Sequence, residues 1–129
     1  MNNFKINSQI RWYLIQTAKI LTEGKKVKGW RRIQSTSRQM DVFFNDGLGV
    51  VLKHPKLLLE RRTPAFLRIP TIKLGDGWVV QPKARRTHLK AAVEHIRTQL
   101  QPYLAKGIFP DIHHGNVGWY DGKPLMFDW

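Results

Sequence analysis

Along the chain's 129 residues the apolar positions change period twice, and each change marks a different kind of element. From Ile10 to Leu21 they recur at three and four residues, through Tyr13, Leu14, Thr17 and Ala18, which traces one face of a helix. Ser8 is placed to cap that helix, since a hydroxyl there can accept from the free N–H groups of the first turn, and Gly24 is placed to end it. From 30 to 81 the spacing shortens to brief apolar runs broken by turn residues. Strands are expected at 30–34, 41–44, 48–53, 69–74 and 78–81. Asn45-Asp46-Gly47 and Gly75-Asp76-Gly77 supply the positive-φ residues that hairpin turns need. Pro64 and Pro70 bracket a stretch that cannot be one continuous helix.

The helical period returns over 87–105, where Leu89, Ala92, Val93, Ile96, Leu100, Tyr103 and Leu104 form the clearest stripe in the chain. Pro102 falls near its end and Gly107 closes it. A loop follows, then a hairpin with arms at 117–120 and 125–129 turning at Asp121-Gly122. The expected fold is α+β: helix, small antiparallel sheet, helix, loop, hairpin. The length predicts a single domain over 1–129, divided into a helix and basic linker (1–29), a sheet lobe (30–82) and a helix, loop and hairpin (83–129).

Composition adds one strong feature. Apolar residues make up 42% of the chain, enough for a hydrophobic core, but 22 Lys and Arg stand against 9 acids, a net charge of +13. Such an excess favours encounter with an anion: a nucleotide, nucleic acid, an acidic protein or a membrane surface. The cations crowd at Lys25-Lys26-Val27-Lys28, Arg31-Arg32, Arg61-Arg62 and Lys83-Ala84-Arg85-Arg86, whereas Asp111, Asp121 and Asp128 fall in the tail. With no cysteine, disulfide and thiolate chemistry are excluded. The lack of a long apolar run or a signal-like start predicts a cytoplasmic protein outside the membrane.

The tail carries the candidate chemistry. Phosphoryl transfer from a nucleotide needs a divalent metal on the phosphates, a cation beside them and a base that orients the acceptor. Mg2+ takes hard oxygen ligands. In the segment Asp111-Ile112-His113-His114-Gly115-Asn116 an aspartate stands five residues before an asparagine, and the hairpin then returns through Phe127-Asp128-Trp129. Asn116 precedes one arm and Asp128 lies on the other.

This arrangement resembles the catalytic loop and metal-binding aspartate of the protein-kinase superfamily, closest to its atypical, aminoglycoside-phosphotransferase-like branches. Val50-Val51-Leu52-Lys53 is similar to the third strand of that family, whose lysine holds the nucleotide phosphates. The resemblance covers residues 30–129. It implies ATP and Mg2+ as cofactors, with Lys53 on the phosphates, Asp111 orienting and deprotonating an acceptor hydroxyl, and Asn116 and Asp128 on the metal. It also implies a hinge at Val80-Gln81-Pro82 against the adenine.

The sequence departs from that pattern in several places. The loop after the first strand, Ser35-Thr36-Ser37-Arg38-Gln39-Met40, has none of the glycines that close backbone amides over phosphates, so Ser35 and Ser37 are the candidate phosphate contacts instead. No helix bearing a glutamate partner for Lys53 is evident, and Phe109 stands where the family has histidine. The expected fold lacks the large helical lobe.

Two functions are therefore expected. One is a minimal ATP-dependent phosphotransferase acting on a protein or small-molecule hydroxyl. The other is a pseudokinase scaffold that docks on an acidic protein or nucleic acid through its basic surface, a role that suits a phage-encoded protein acting in a host cytoplasm. Blander readings stand beside these. Asp111 and Asp128 taken singly are ordinary turn and edge charges. Adjacent His113 and His114 rarely face one ligand, and no third spaced His supports zinc. The five tryptophans, interleaved with cations, suit either base stacking or core packing.

Overall fold

The computed structural model describes residues 4–33, 41–54, 65–104, 112 and 117–127. Among them the architecture is α+β, with two α-helices, a five-stranded antiparallel sheet and a separate two-stranded sheet. The chain divides into two compact units. One comprises Met1–Lys56 and Pro70–Lys83, the other Leu57–Ile69 and Ala84–Trp129.

The first unit opens with α1 (Ser8–Thr22). Its cap is Asn7 and not the expected Ser8: the Asn7 carboxamide oxygen accepts from the Ile10 N–H at 2.8 Å. The helix stops at Glu23, just before the expected Gly24, whose N–H donates to the Leu21 carbonyl. Of the periodic residues, Leu14, Thr17, Ala18 and Leu21 are buried, while Ile10 and Tyr13 sit at the exposed margin.

The sheet is built from β1 (Arg31–Ile33), β2 (Asp41–Asn45), β3 (Val50–His54), β4 (Ile72–Gly75) and β5 (Trp78–Pro82). Its order is β1-β2-β3-β5-β4, so β5 is inserted beside β3 and β4 becomes an edge. The expected strand at 69–74 starts later, after Pro70, because proline cannot donate to the ladder. The turn after β2 lies where expected but its geometry differs. Asn45 Oδ1 accepts from the Leu48 N–H at 2.9 Å, and the positive φ (65°) falls on Gly49, not Gly47.

Side chains alternate across the sheet. Val50 and Leu52 of β3, Trp78 and Val80 of β5 and Leu74 of β4 meet Leu14, Ala18 and Leu21 of α1 in one apolar core. The Trp78 indole donates to Thr22 Oγ1 at 3.1 Å, and Thr22 donates in turn to the Ala18 carbonyl, pinning the end of α1 to the sheet.

In the second unit, a 3₁₀ turn (Ala65–Leu67) precedes α2 (Leu89–Leu104) and the hairpin of β6 (Val117–Tyr120) and β7 (Lys123–Met126). The hairpin's second arm is displaced from the expected 125–129, since Asp121 (φ 53°) and Gly122 (φ 73°) form a two-residue loop of the kind that fits strand twist. Arg85 pairs with Trp119 and Arg68 with Met126, extending the hairpin at both edges. Ala92, Val93, Ile96 and Leu100 pack on Leu67, Val117 and Met126 to form this unit's core.

Candidate functional site

β3 reads Val-Val-Leu-Lys-His, a strand buried along nearly its whole length, and Lys53 is its one cation. Cross-strand pairing sets Lys53 between Val42 of β2 and Val79 of β5. Because Val50 and Leu52 point to α1, Lys53 falls on the opposite face, in the row that also carries Val51. Val42, Val51 and Val79 are buried there, and Lys53 itself is only 3% exposed. Burying an ammonium among apolar side chains costs several kcal/mol, of order, unless an interaction offsets it. Lys53 is not without a partner.

Gln81 shares this face, is buried, and donates from Nε2 to Thr71 Oγ1 at 2.9 Å. Val80 is different. Its side chain belongs to the core against α1, and its strand neighbours are Leu52 on one side and Ile72 on the other. Side chain and strand are both committed to the fold, so Val80 is a core residue here.

Asp111, Asn116 and Asp128, together with Ser35 and Ser37, lie outside the described residues. Residues next to the first three are anchored within the second unit. Ile112 packs against the α2 core, and its carbonyl accepts from Arg97 Nη2 at 3.5 Å. Val117 and Phe127 are fully buried. The Arg86 guanidinium lies over the Phe127 ring at 5.5 Å, and burial lowers its affinity for the proton.

Charge is organised elsewhere too. Asp46, in the turn between β2 and β3, accepts from Lys83 Nζ and, at 3.2 Å, from Arg31 Nε. The Lys83 hydrogen bond, then that of Arg31, holds the Asp46 carboxyl below the ordinary carboxylate value. Both cations also flank the Phe44 ring, at 5.1 and 5.0 Å.

Sequence reasoning missed a cavity of about 410 Å³ in the first unit, between α1 and the β4–β5 hairpin. Ile15, Leu74 and Trp78 form its apolar wall, with Glu23, His54 and Asp76 among its polar groups. His54 stacks on Trp78 at 4.8 Å and its Nε2 donates to the Asp76 carbonyl at 3.1 Å. These residues come from three distant stretches of chain, and no local motif joins them.

No family model, curated protein or solved structure matches the chain. Among the described residues no group of three His, Cys, Asp or Glu side chains could hold a metal ion, and no helix is long and apolar enough to cross a membrane.

Proposed function

We propose that this chain is a minimal kinase-like protein that binds ATP with Mg2+ and transfers the γ-phosphoryl group to a hydroxyl. One observation carries the reading: a lysine buried at 3% exposure on the third strand of a five-stranded antiparallel sheet. In the protein-kinase superfamily the third-strand lysine pairs with nucleotide phosphates. A cation held in apolar surroundings is worth more to an incoming phosphate than one in water, because the low dielectric strengthens the attraction.

The roles follow the resemblance. Lys53 holds phosphate oxygens, and Gln81 borders it on the same sheet face. Asn116 and Asp128 supply the oxygen ligands that Mg2+ prefers. Asp111 accepts the proton of the acceptor hydroxyl as its oxygen bonds to phosphorus and ADP leaves. Burial of Val117 and Phe127, and the packing of half-buried Ile112 on the α2 core, support the reading, since functional side chains need fixed neighbours.

A pseudokinase scaffold is the second reading, favoured by the net charge of +13, which exceeds what one nucleotide requires. Incubation with γ-labelled ATP and Mg2+, alongside a thermal-shift titration, separates the two. The enzyme reading expects label transfer that disappears in Asp128→Ala and Asp111→Asn. A thermal shift without transfer assigns a nucleotide-binding scaffold. Absence of any shift with ATP and Mg2+ overturns nucleotide binding.

A further inference from the structure

The kinase-like reading leaves the most extreme property of the chain unused, and the first unit shows where it concentrates. Between residues 4 and 33 there are eight cationic side chains and one carboxylate, Glu23, which is held by Lys25 at 3.1 Å. Arg31 and Arg32 are paired with Asp46 and Asp41. Among the described residues no carboxylate pairs with Arg11, Lys19, Lys26 or Lys28, all of them exposed.

The four tryptophans among the described residues separate by environment. Trp78 is core, Trp30 and Trp119 are half-buried, and Trp12 is 66% exposed on the outward side of α1. Lys19 follows two turns later on the same stripe. Tyr13, the next residue, is also exposed, and its hydroxyl accepts from the Trp30 indole at 3.1 Å. That bond ties the Lys25–Lys28 turn to the helix, a tie continued by the Lys25 N–H to the Ile20 carbonyl. An indole left in water gives up the burial that makes tryptophan stabilising, and the core offers no reason for it here.

From this we infer that α1 and the turn after it bind single-stranded nucleic acid, with Trp12 as a base-stacking platform and Lys19, Lys26 and Lys28 on the phosphates. Uncompensated cations recruit a polyanion, and a flat exposed ring selects unpaired bases, whose π-faces a duplex hides. Arg11 is partly committed, because its guanidinium donates to the Lys73 carbonyl at 3.0 Å. The inference does not rest on nucleotide binding at Lys53, which lies on the other face of the sheet.

The test uses the full chain and fluorescence anisotropy with a labelled oligothymidylate of about 16 nucleotides. A duplex of equal length and phosphatidylserine vesicles are the competing probes. Single strand is expected to bind most tightly. Trp12→Ala should weaken it about tenfold. Replacing Lys26 and Lys28 by alanine should reduce the slope of log K against log salt by about 1.4. All three side chains are exposed, so folding should persist, and circular dichroism checks that it does. The inference fails if Trp12→Ala binds single strand as the parent does, if duplex is preferred, or if vesicles bind and oligonucleotide does not. Failure here leaves the ATP and Mg2+ thermal shift untouched, so the two proposals can fall separately.

Discussion

Gly118 lies so close to Ala84 that a Cβ added to it would stand 2.8 Å from the Ala84 Cβ, with Phe127 at 3.0 Å and the Arg85 carbonyl oxygen at 3.2 Å. Two of these neighbours are fixed. Ala84 is buried, and Arg85 exchanges backbone hydrogen bonds with Trp119 at 2.8 and 2.9 Å. Gly118→Ala should therefore destabilise by about 1–3 kcal/mol through overpacking. A lower denaturant midpoint at unchanged m-value is the expected readout, and an unchanged midpoint would mean that the strand can shift aside.

The cap of α1 gives a paired comparison. Asn7 accepts from the Ile10 N–H, so Asn7→Ala should cost about 1 kcal/mol. Ser8 is exposed and is the first helical residue, so Ser8→Ala should be close to neutral. Equal losses in the two variants, measured by thermal unfolding, would remove Asn7 from the role.

Asp46 should contribute to the acid sensitivity of the fold. Its folded-state carboxyl is lowered from the ordinary 3.8 by Lys83 and Arg31, so the stabilisation is complete above that value and is lost as pH falls through the lower folded one. Asp46→Asn should lower stability slightly at neutral pH, where the carboxylate contributes in full, and converge on the parent in acid, so that the acid limb of its stability curve is flatter below about pH 4. The carboxylate is solvent-exposed, so added salt should shrink the difference.

How much of this was legible in the sequence depends on the range over which each feature is set. The period of α1, the stripe of α2 and the turn at Asp121-Gly122 are local, and the sequence reading placed each within a residue or two. The Asn7 cap was missed because Asn7 and Ser8 are both capable and adjacent, and only backbone geometry chooses between them. Gly49 was missed for a related reason: Asn45-Asp46-Gly47 resembles a two-residue turn, but β3 begins only at Val50, and the longer loop moves the left-handed residue to its end. Lys53 was legible by type and position. Its burial was not, since it arises from β5 lying beside β3, a pairing across roughly thirty residues. Val80 was assigned to a nucleotide hinge on order along the chain, while the sheet turns its side chain toward α1.

That same loop predicts unequal costs for two glycines. Gly49 holds φ at 65°, where a Cβ is strained, whereas a Cβ at Gly47 meets only the Asn45 carboxamide oxygen at 3.4 Å. Gly49→Ala should lose about 1 kcal/mol more than Gly47→Ala, although neither Cβ meets a steric wall. Similar losses would place the strain elsewhere in the loop.

The buried lysine yields the most discriminating prediction. Methionine keeps the length of the Lys53 stem and drops the charge, so Lys53→Met should pack among Val42, Val51 and Val79 without a cavity. If the ammonium serves an incoming phosphate, relief of its desolvation should compensate for the interaction it gives up, and the ligand-free variant should hold its stability within about 1 kcal/mol. The thermal shift with ATP and Mg2+ should then vanish. If the ammonium chiefly balances a carboxylate inside the fold, its removal strands that partner, and the ligand-free protein should lose about 3–5 kcal/mol. Denaturant titrations of parent and variant, each with and without ATP and Mg2+, separate these cases because the first loss appears only with ligand and the second appears without it.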